Sequence, residues 1–180
     1  IQIGDLLATQ DATDDPVHGE QEGRFFHGFF GGCCYLPLYI FAGEFLLCAR
    51  LRPSNIDASA GAKEEVERIV GRIRARWPDV KIILRADSGF CRDTMMGWCE
   101  DNGVDYVFGL ARNSRLETAL AEQSAEARQR HMTTGKPARV FRDFRYRTHD
   151  SWSCTRRVVG KAEHTAEGAN PRFVVTSLKR

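Results

Sequence analysis

The chain has 180 residues, 42% of them hydrophobic, and a formal net charge of +2 at pH 7. That length suits one domain with a proper core, and that apolar content excludes a disordered polypeptide. No stretch reaches the ~20 consecutive apolar residues that span a bilayer, and the opening run has no basic segment or cleavage site, so the sequence reads as cytosolic and cut from a longer polypeptide.

In chain order, alternating apolar residues from Ile1 to Gln10 predict a strand that runs into Asp11, with a turn at Pro16, Gly19 and Gly23. Phe25 to Leu51 is rich in aromatic and β-branched residues and is broken at Gly31-Gly32 and Ala42-Gly43, which predicts two more strands in an antiparallel meander. After Pro53 the apolar residues Val66, Ile69, Val70, Ile73 and Trp77 recur at helical spacing, from a cap at Ser59 to the stop at Pro78. Val80 to Leu84 predicts a buried strand that delivers Asp87 just beyond its end. A helix over Thr94 to Asp101, stopped by Asn102-Gly103, and a strand over Val104 to Leu110 follow. This order matches an α/β fold of the RNase H-like kind, a mixed sheet whose antiparallel meander is joined to parallel strands by helical crossovers. Beyond Arg112 the pattern changes to an exposed helix over Leu116 to Arg130, then strands over Ala138 to Tyr146, Thr155 to His164 and Arg172 to Leu178. The expected organisation is therefore a core over 1–111, a helix plus β-rich insertion over 112–171, and a strand over 172–180 returning to the core.

Charge is uneven along this order. Residues 1–22 hold Asp5, Asp11, Asp14, Asp15, Glu20 and Glu22 without a Lys or Arg, whereas residues 136–161 hold eight Lys or Arg residues against Asp143 and Asp150. An acidic end can hold divalent cations and a basic stretch can track phosphates, a polarity that suits a metal-dependent enzyme of nucleic acid; ordinary solvated faces give the same pattern. The six cysteines form no CxxC pair and stand at no zinc spacing with histidine, so they read as reduced packing thiols.

Asp11 and Asp87, 76 positions apart, each fall at a strand end. If the topology brings those strands together, the two carboxylates can hold hard divalent ions through oxygen ligands. Aspartate at a strand end is also a common turn former or helix cap, so spacing alone leaves both readings open. A nucleophilic Asp11, as in phosphatases of the haloacid dehalogenase type, would want a second Asp where Thr13 stands.

The segments Asp11-Ala-Thr-Asp-Asp-Pro-Val-His-Gly-Glu-Gln-Glu-Gly, Tyr35-Leu-Pro-Leu-Tyr, Leu51-Arg-Pro-Ser-Asn, Arg85-Ala-Asp-Ser-Gly-Phe, Trp98-Cys-Glu and Gly109-Leu-Ala-Arg-Asn occur in this order. With Lys161-Ala-Glu-His-Thr and Asn170-Pro-Arg-Phe-Val-Val-Thr they resemble the bacterial insertion-sequence transposases of the group numbered thirteen-eighty, over nearly the whole chain. The resemblance implies a DDE transposase that cleaves and transfers DNA strands at transposon ends with two Mg²⁺ ions, Mn²⁺ being able to substitute. Its partners would be transposon-end and target DNA and a second copy of itself in a synaptic complex, and it would act in the cytoplasm at the nucleoid. The family's first and second catalytic aspartates fall on Asp11 and Asp87. Asp14 and Asp15 are rivals for the first position, and His18 and Gln21 are candidates for DNA contact, for the outer shell of the metal, or for stabilising the turn.

The third acid that the resemblance implies is a glutamate on a helix after the Arg172 to Leu178 strand, and no such motif occurs within the 180 residues. The chain alone is therefore expected to be inactive, and a transposase-derived DNA-binding domain without catalysis is the alternative. Glu163 and Glu167 read as surface residues. Arg142, Arg145, Arg147, Arg156, Arg157 and Lys161, interleaved with Phe141, Phe144, Tyr146 and Trp152, form the expected DNA-binding face, because alternation along a hairpin gathers side chains on one side. Arg68, Arg72, Arg74 and Arg76 read as a solvated helix face.

Overall fold

The first strand, β1 (Leu6–Ala12), has Asp11 at its C-terminal end, one residue before the last. The computed structural model describes residues 6–12 as backbone and residues 14–179 in full, and the expected start of the strand over residues 1–5 lies outside the described residues. Two compact units divide the chain, residues 1–105 and 106–180.

In the first unit the Phe25 to Leu51 stretch supplies more strands than the sequence suggests. β2 (Asp15–Pro16), β3 (Phe25–His27) and β4 (Gly32–Tyr35) make a small antiparallel sheet in the order β2-β4-β3. The meander proper is β5 (Leu38–Ala42) and β6 (Phe45–Arg50), joined at Gly43 with a φ of 59°. Proline splits what reads as one apolar run, since Pro37 interrupts the ladder between β4 and β5.

Helix α1 (Ala62–Arg76) buries Val66, Ile69 and Val70 against Ile40, Ile82 and Leu84 of the sheet, along the predicted apolar stripe. Its N-cap is Gly61 at a φ of 73°, not Ser59, whose carbonyl instead accepts from Ala62 N at 3.0 Å. Glu64 and Glu65 in the first turn and Arg74 and Arg76 in the last complement the helix dipole. Strand β7 (Ile82–Ala86) and helix α2 (Asp93–Asp101) complete the unit. Arg74 is not simply solvated: its guanidinium donates to the carbonyls of Asn102 and Gly103, at 2.5 and 2.9 Å, and so satisfies the open end of α2.

β1 runs parallel to β7 and antiparallel to β5, which makes the sheet mixed. Burial pushes the Cys99 thiol in α2 up to about 12, the behaviour of an inert packing sulfur.

The second unit begins in β8 (Asp105–Leu110) and continues through α3 (Ser114–Ala119) and α4 (Ala121–Thr134). The single helix expected over Leu116 to Arg130 is thus two, separated at Leu120, and Asn113 caps the first by accepting from Leu116 N at 3.1 Å. β9 (Ala138–Tyr146), β10 (Arg156–Thr165), the short β11 (Gly168–Ala169) and β12 (Arg172–Thr176) follow. β9 and β12 flank β10 antiparallel, and β12 pairs in turn with β8. α4 packs on β9 and β10. Gly160 permits the close approach, since a Cβ there would sit 2.8 Å from Leu120 Cδ1.

Candidate catalytic and nucleic-acid sites

In the parallel ladder the last pair is Gln10 with Ala86, so Asp11, still within β1, and Asp87, the first residue after β7, each follow directly on that pair. Neighbouring strands lie about 4.8 Å apart, which is the spacing at the Gln10–Ala86 pair that precedes them. The register thus brings together two residues that are 76 positions apart in sequence. Of the rival acids, Asp15 belongs to β2 and pairs with Tyr35 of the small sheet, and Asp14 stands just before that strand. His18 and Gln21 are exposed.

Asp87 is exposed and caps a short 3-10 turn, Ser88–Phe90, with its Oδ1 accepting from Gly89 N at 2.7 Å. The turn is anchored by Phe90, whose ring is fully buried. Gly89 leaves the cap little room, because a Cβ would stand 3.0 Å from Asp87 Oδ1 and press on the capping carboxylate. The cap and the metal reading are compatible, since a carboxylate has lone pairs on both oxygens and the cap engages Oδ1.

Around this turn lies a brace to which the sequence motifs assign no role. Asp57 accepts from Ser59 N at 2.8 Å and Ser59 Oγ at 2.5 Å, and Arg92 reaches across to Asp57 Oδ2 at 2.6 Å and Ser59 Oγ at 3.3 Å. Burial alone would raise the Asp57 pKa, but the hydrogen bonds from Ser59 and the pairing with Arg92 outweigh it and hold the carboxyl below its usual range. Beneath them Arg52, 4% exposed, donates from Nε to Leu36 O at 2.9 Å and from Nη1 to Ala58 O and Ala60 O at 3.0 and 2.7 Å. Ser54 donates to Phe25 O at 2.9 Å. The Leu51-Arg-Pro-Ser-Asn segment therefore fixes the loop that packs beside Asp87. Its arginine, set among backbone carbonyls, was the available signal.

A divalent cation fits the chemistry of the pair, whose side chains offer carboxylate oxygen and no sulfur or imidazole. Among the described residues, which exclude the Asp11 side chain, no group of three or more His, Cys, Asp or Glu gathers at one point.

On the β9–β10 hairpin the six cations of the expected DNA face divide between two sides. Arg142 donates to Ala119 O of α3 and Arg156 is 4% exposed beside the Trp152 ring, so both turn to the helix-covered side. Arg145, Arg157 and Lys161 lie on the other side, where Arg145 pairs with Arg157 and Phe141 with Lys161 across the strands. Arg145 and Arg147 are exposed, with bonds to Thr155 O at 2.7 Å and Trp152 O at 3.1 Å. Arg157 is held by Asp143 at 2.6 Å and by Leu178 O at 2.5 Å. Arg139 and Arg172 join this outer side, which strand alternation counted from Lys161 would have shown.

Glu163 differs from its expected surface role. It is 8% exposed and bound by Lys161, Arg139 and Asn170. The hydrogen bonds from Lys161 and Arg139 pull its pKa down to about 2.

Comparison with known proteins bears on these geometries. The cryo-EM structure of a piggyBac transposase synaptic complex with hairpin DNA is similar with a TM-score of 0.52 at 10% identity, over 99% of this chain and 34% of that one. The chain thus spans about a third of the length of that transposase. No curated protein sequence matches the chain. A family model described as transposase DDE domain group 1 matches residues 6–180, from the start of β1 through the end of the chain, and by that match the chain belongs to the transposase DDE domain family.

Proposed function

We propose that this chain is the larger part of the catalytic core of a DNA transposase, of the insertion-sequence kind, that cleaves phosphodiester bonds at transposon ends and joins them to target DNA. The single observation that supports the reading is the parallel register of β1 and β7, whose last pair, Gln10 with Ala86, immediately precedes Asp11 and Asp87. An RNase H-like core suits that arrangement, and the meander β1-β5-β6 with the crossover through α1 to β7 follows its element order.

In this reading Asp11 and Asp87 hold two Mg²⁺ ions, or Mn²⁺ in their place, with a third acid outside residues 1–180 as the family resemblance implies. When bound, such ions activate the attacking oxygen and stabilise the leaving one. Asp87 contributes a carboxylate that is held at Oδ1 by Gly89 N, on a turn beside the loop that Asp57 and Arg92 brace. The exposed cations of the β9–β10 face, chiefly Arg145 and Arg147, bind phosphates and keep the DNA in place. A role on DNA implies action at the nucleoid, with two copies pairing the two transposon ends.

The test is Asp87→Asn in a polypeptide that carries this chain together with the segment supplying the third acid. Strand cleavage is expected to fall by several orders of magnitude while DNA binding is unchanged, because the substitution removes one charge at the metal and nothing from the binding face. Cleavage at the wild-type rate would remove Asp87 from the mechanism. Binding without cleavage by the wild type would leave only a DNA-binding domain.

A further inference from the structure

The outer side of the β9–β10–β12 sheet has one feature that phosphate binding does not use. Phe141 is 62% exposed at the middle of β9, while the opposite side of the same sheet is covered by α4. In the ladder Phe141 pairs with Lys161 of β10, and Lys161 pairs with Arg172 of β12, so the three side chains form one row on one side. With strands about 4.8 Å apart, the backbone positions of Lys161 and Arg172 lie roughly 5 and 10 Å from that of Phe141, within reach of long side chains. Along β9 itself the neighbours on that side are Arg139 and Asp143.

An exposed phenylalanine ringed by charge is unlike the centre of a protein interface, where lysine is depleted and apolar side chains cluster. It matches the makeup of single-strand nucleic-acid sites, where an aromatic face stacks a base and flanking cations take the backbone. Lys161 gives one hydrogen bond to Glu163 at 2.9 Å, and an ammonium has three donors, so it remains able to meet a phosphate. Arg172 is exposed.

We infer that Phe141 is a stacking platform for an unpaired base of single-stranded DNA, with Arg172 and Lys161 holding the adjoining phosphates. The inference rests on the reading of this side as a DNA surface and adds to it the substrate class: a frayed or nicked end rather than closed duplex. A base that leaves the helix exposes its face, and the ring replaces the lost neighbour.

The experiment uses the 180-residue chain with a single-stranded oligonucleotide carrying 2-aminopurine and with a duplex of equal length. The wild type is expected to bind both and to quench the 2-aminopurine emission of the single strand by stacking. Phe141→Ala should weaken single-strand binding roughly 5- to 150-fold and restore the emission, leaving duplex affinity within about twofold, whereas Phe141→Trp should keep both affinities and the quench. Unchanged single-strand affinity in Phe141→Ala overturns the inference, as does an equal loss on single strand and duplex in both variants, which would mark a role in folding. Failure of the wild type to bind either oligonucleotide would instead sink the DNA reading of this side, a result separable from the first because there duplex binding persists.

Discussion

At the scale of single residues, Glu163 shows how a side chain that looks like solvated surface in sequence becomes a structural ion. Its place in β10 reads as an exposed polar position, yet Lys161, Arg139 and Asn170 close over it and leave it 8% exposed. Because its pKa falls from an ordinary 4.5 to about 2 on folding, its stabilisation is complete above pH 4.5 and is lost as pH drops toward 2. The expected result is that the melting temperature of the wild type declines more steeply than that of Glu163→Gln between pH 4.5 and pH 2, as followed by circular dichroism. Parallel curves would show that the cluster does not bind the charged form. Gly160 is constrained by space instead. A methyl group there meets Leu120 Cδ1 at 2.8 Å and the Phe173 ring at 3.2 Å, so Gly160→Ala should destabilise the second unit by about 1–3 kcal/mol in urea titration.

At the scale of elements, periodicity made the regular pieces readable. The stripe Val66, Ile69, Val70 located α1, and the apolar run before Asp87 located β7, because one burying face writes its spacing directly into sequence. Truncating that packing at Leu84→Ala should cost about 2–5 kcal/mol of unfolding free energy, measured by chemical denaturation. What stayed hidden has physical causes. Gly61 took the capping position from Ser59 because Asp57 draws in the Ser59 hydroxyl and amide, a competition that no pattern of apolar residues records. Pro37 divides β4 from β5, so one aromatic stretch serves two sheets. The candidate acids were legible as strand-end aspartates, but their alignment required the register of β1 on β7, and the brace through Arg92 joins Asp57 from 35 positions away. Under the proposed metal role of Asp87, breaking that brace with Arg92→Gln should lower the affinity for Mn²⁺, read by its electron paramagnetic resonance, while Arg92→Lys retains part of it.

At the scale of the whole molecule, the net charge of +2 understates the local field, since acids and bases are gathered in different stretches. Binding to duplex DNA should weaken as salt rises, and replacing Arg145 and Arg147 by Gln should reduce the slope of log K against log salt by about 2, roughly 0.9 for each phosphate no longer neutralised. A slope that does not move would mean that these arginines serve only their carbonyl partners on Thr155 and Trp152. The strict in-and-out alternation of β9 carries a consequence for how this polypeptide can change over time. Loss of the Pro137 codon would keep the reading frame, yet if the ladder re-formed with the strand shifted by one residue it would turn the whole ribbon over. Val140, Phe144 and Tyr146 would then meet water, and Arg139, Arg145 and Arg147 would be driven beneath the helix. Length at this point is therefore under sharper constraint than residue identity, and tolerated insertions or losses should instead collect in the tip between Arg147 and Thr155.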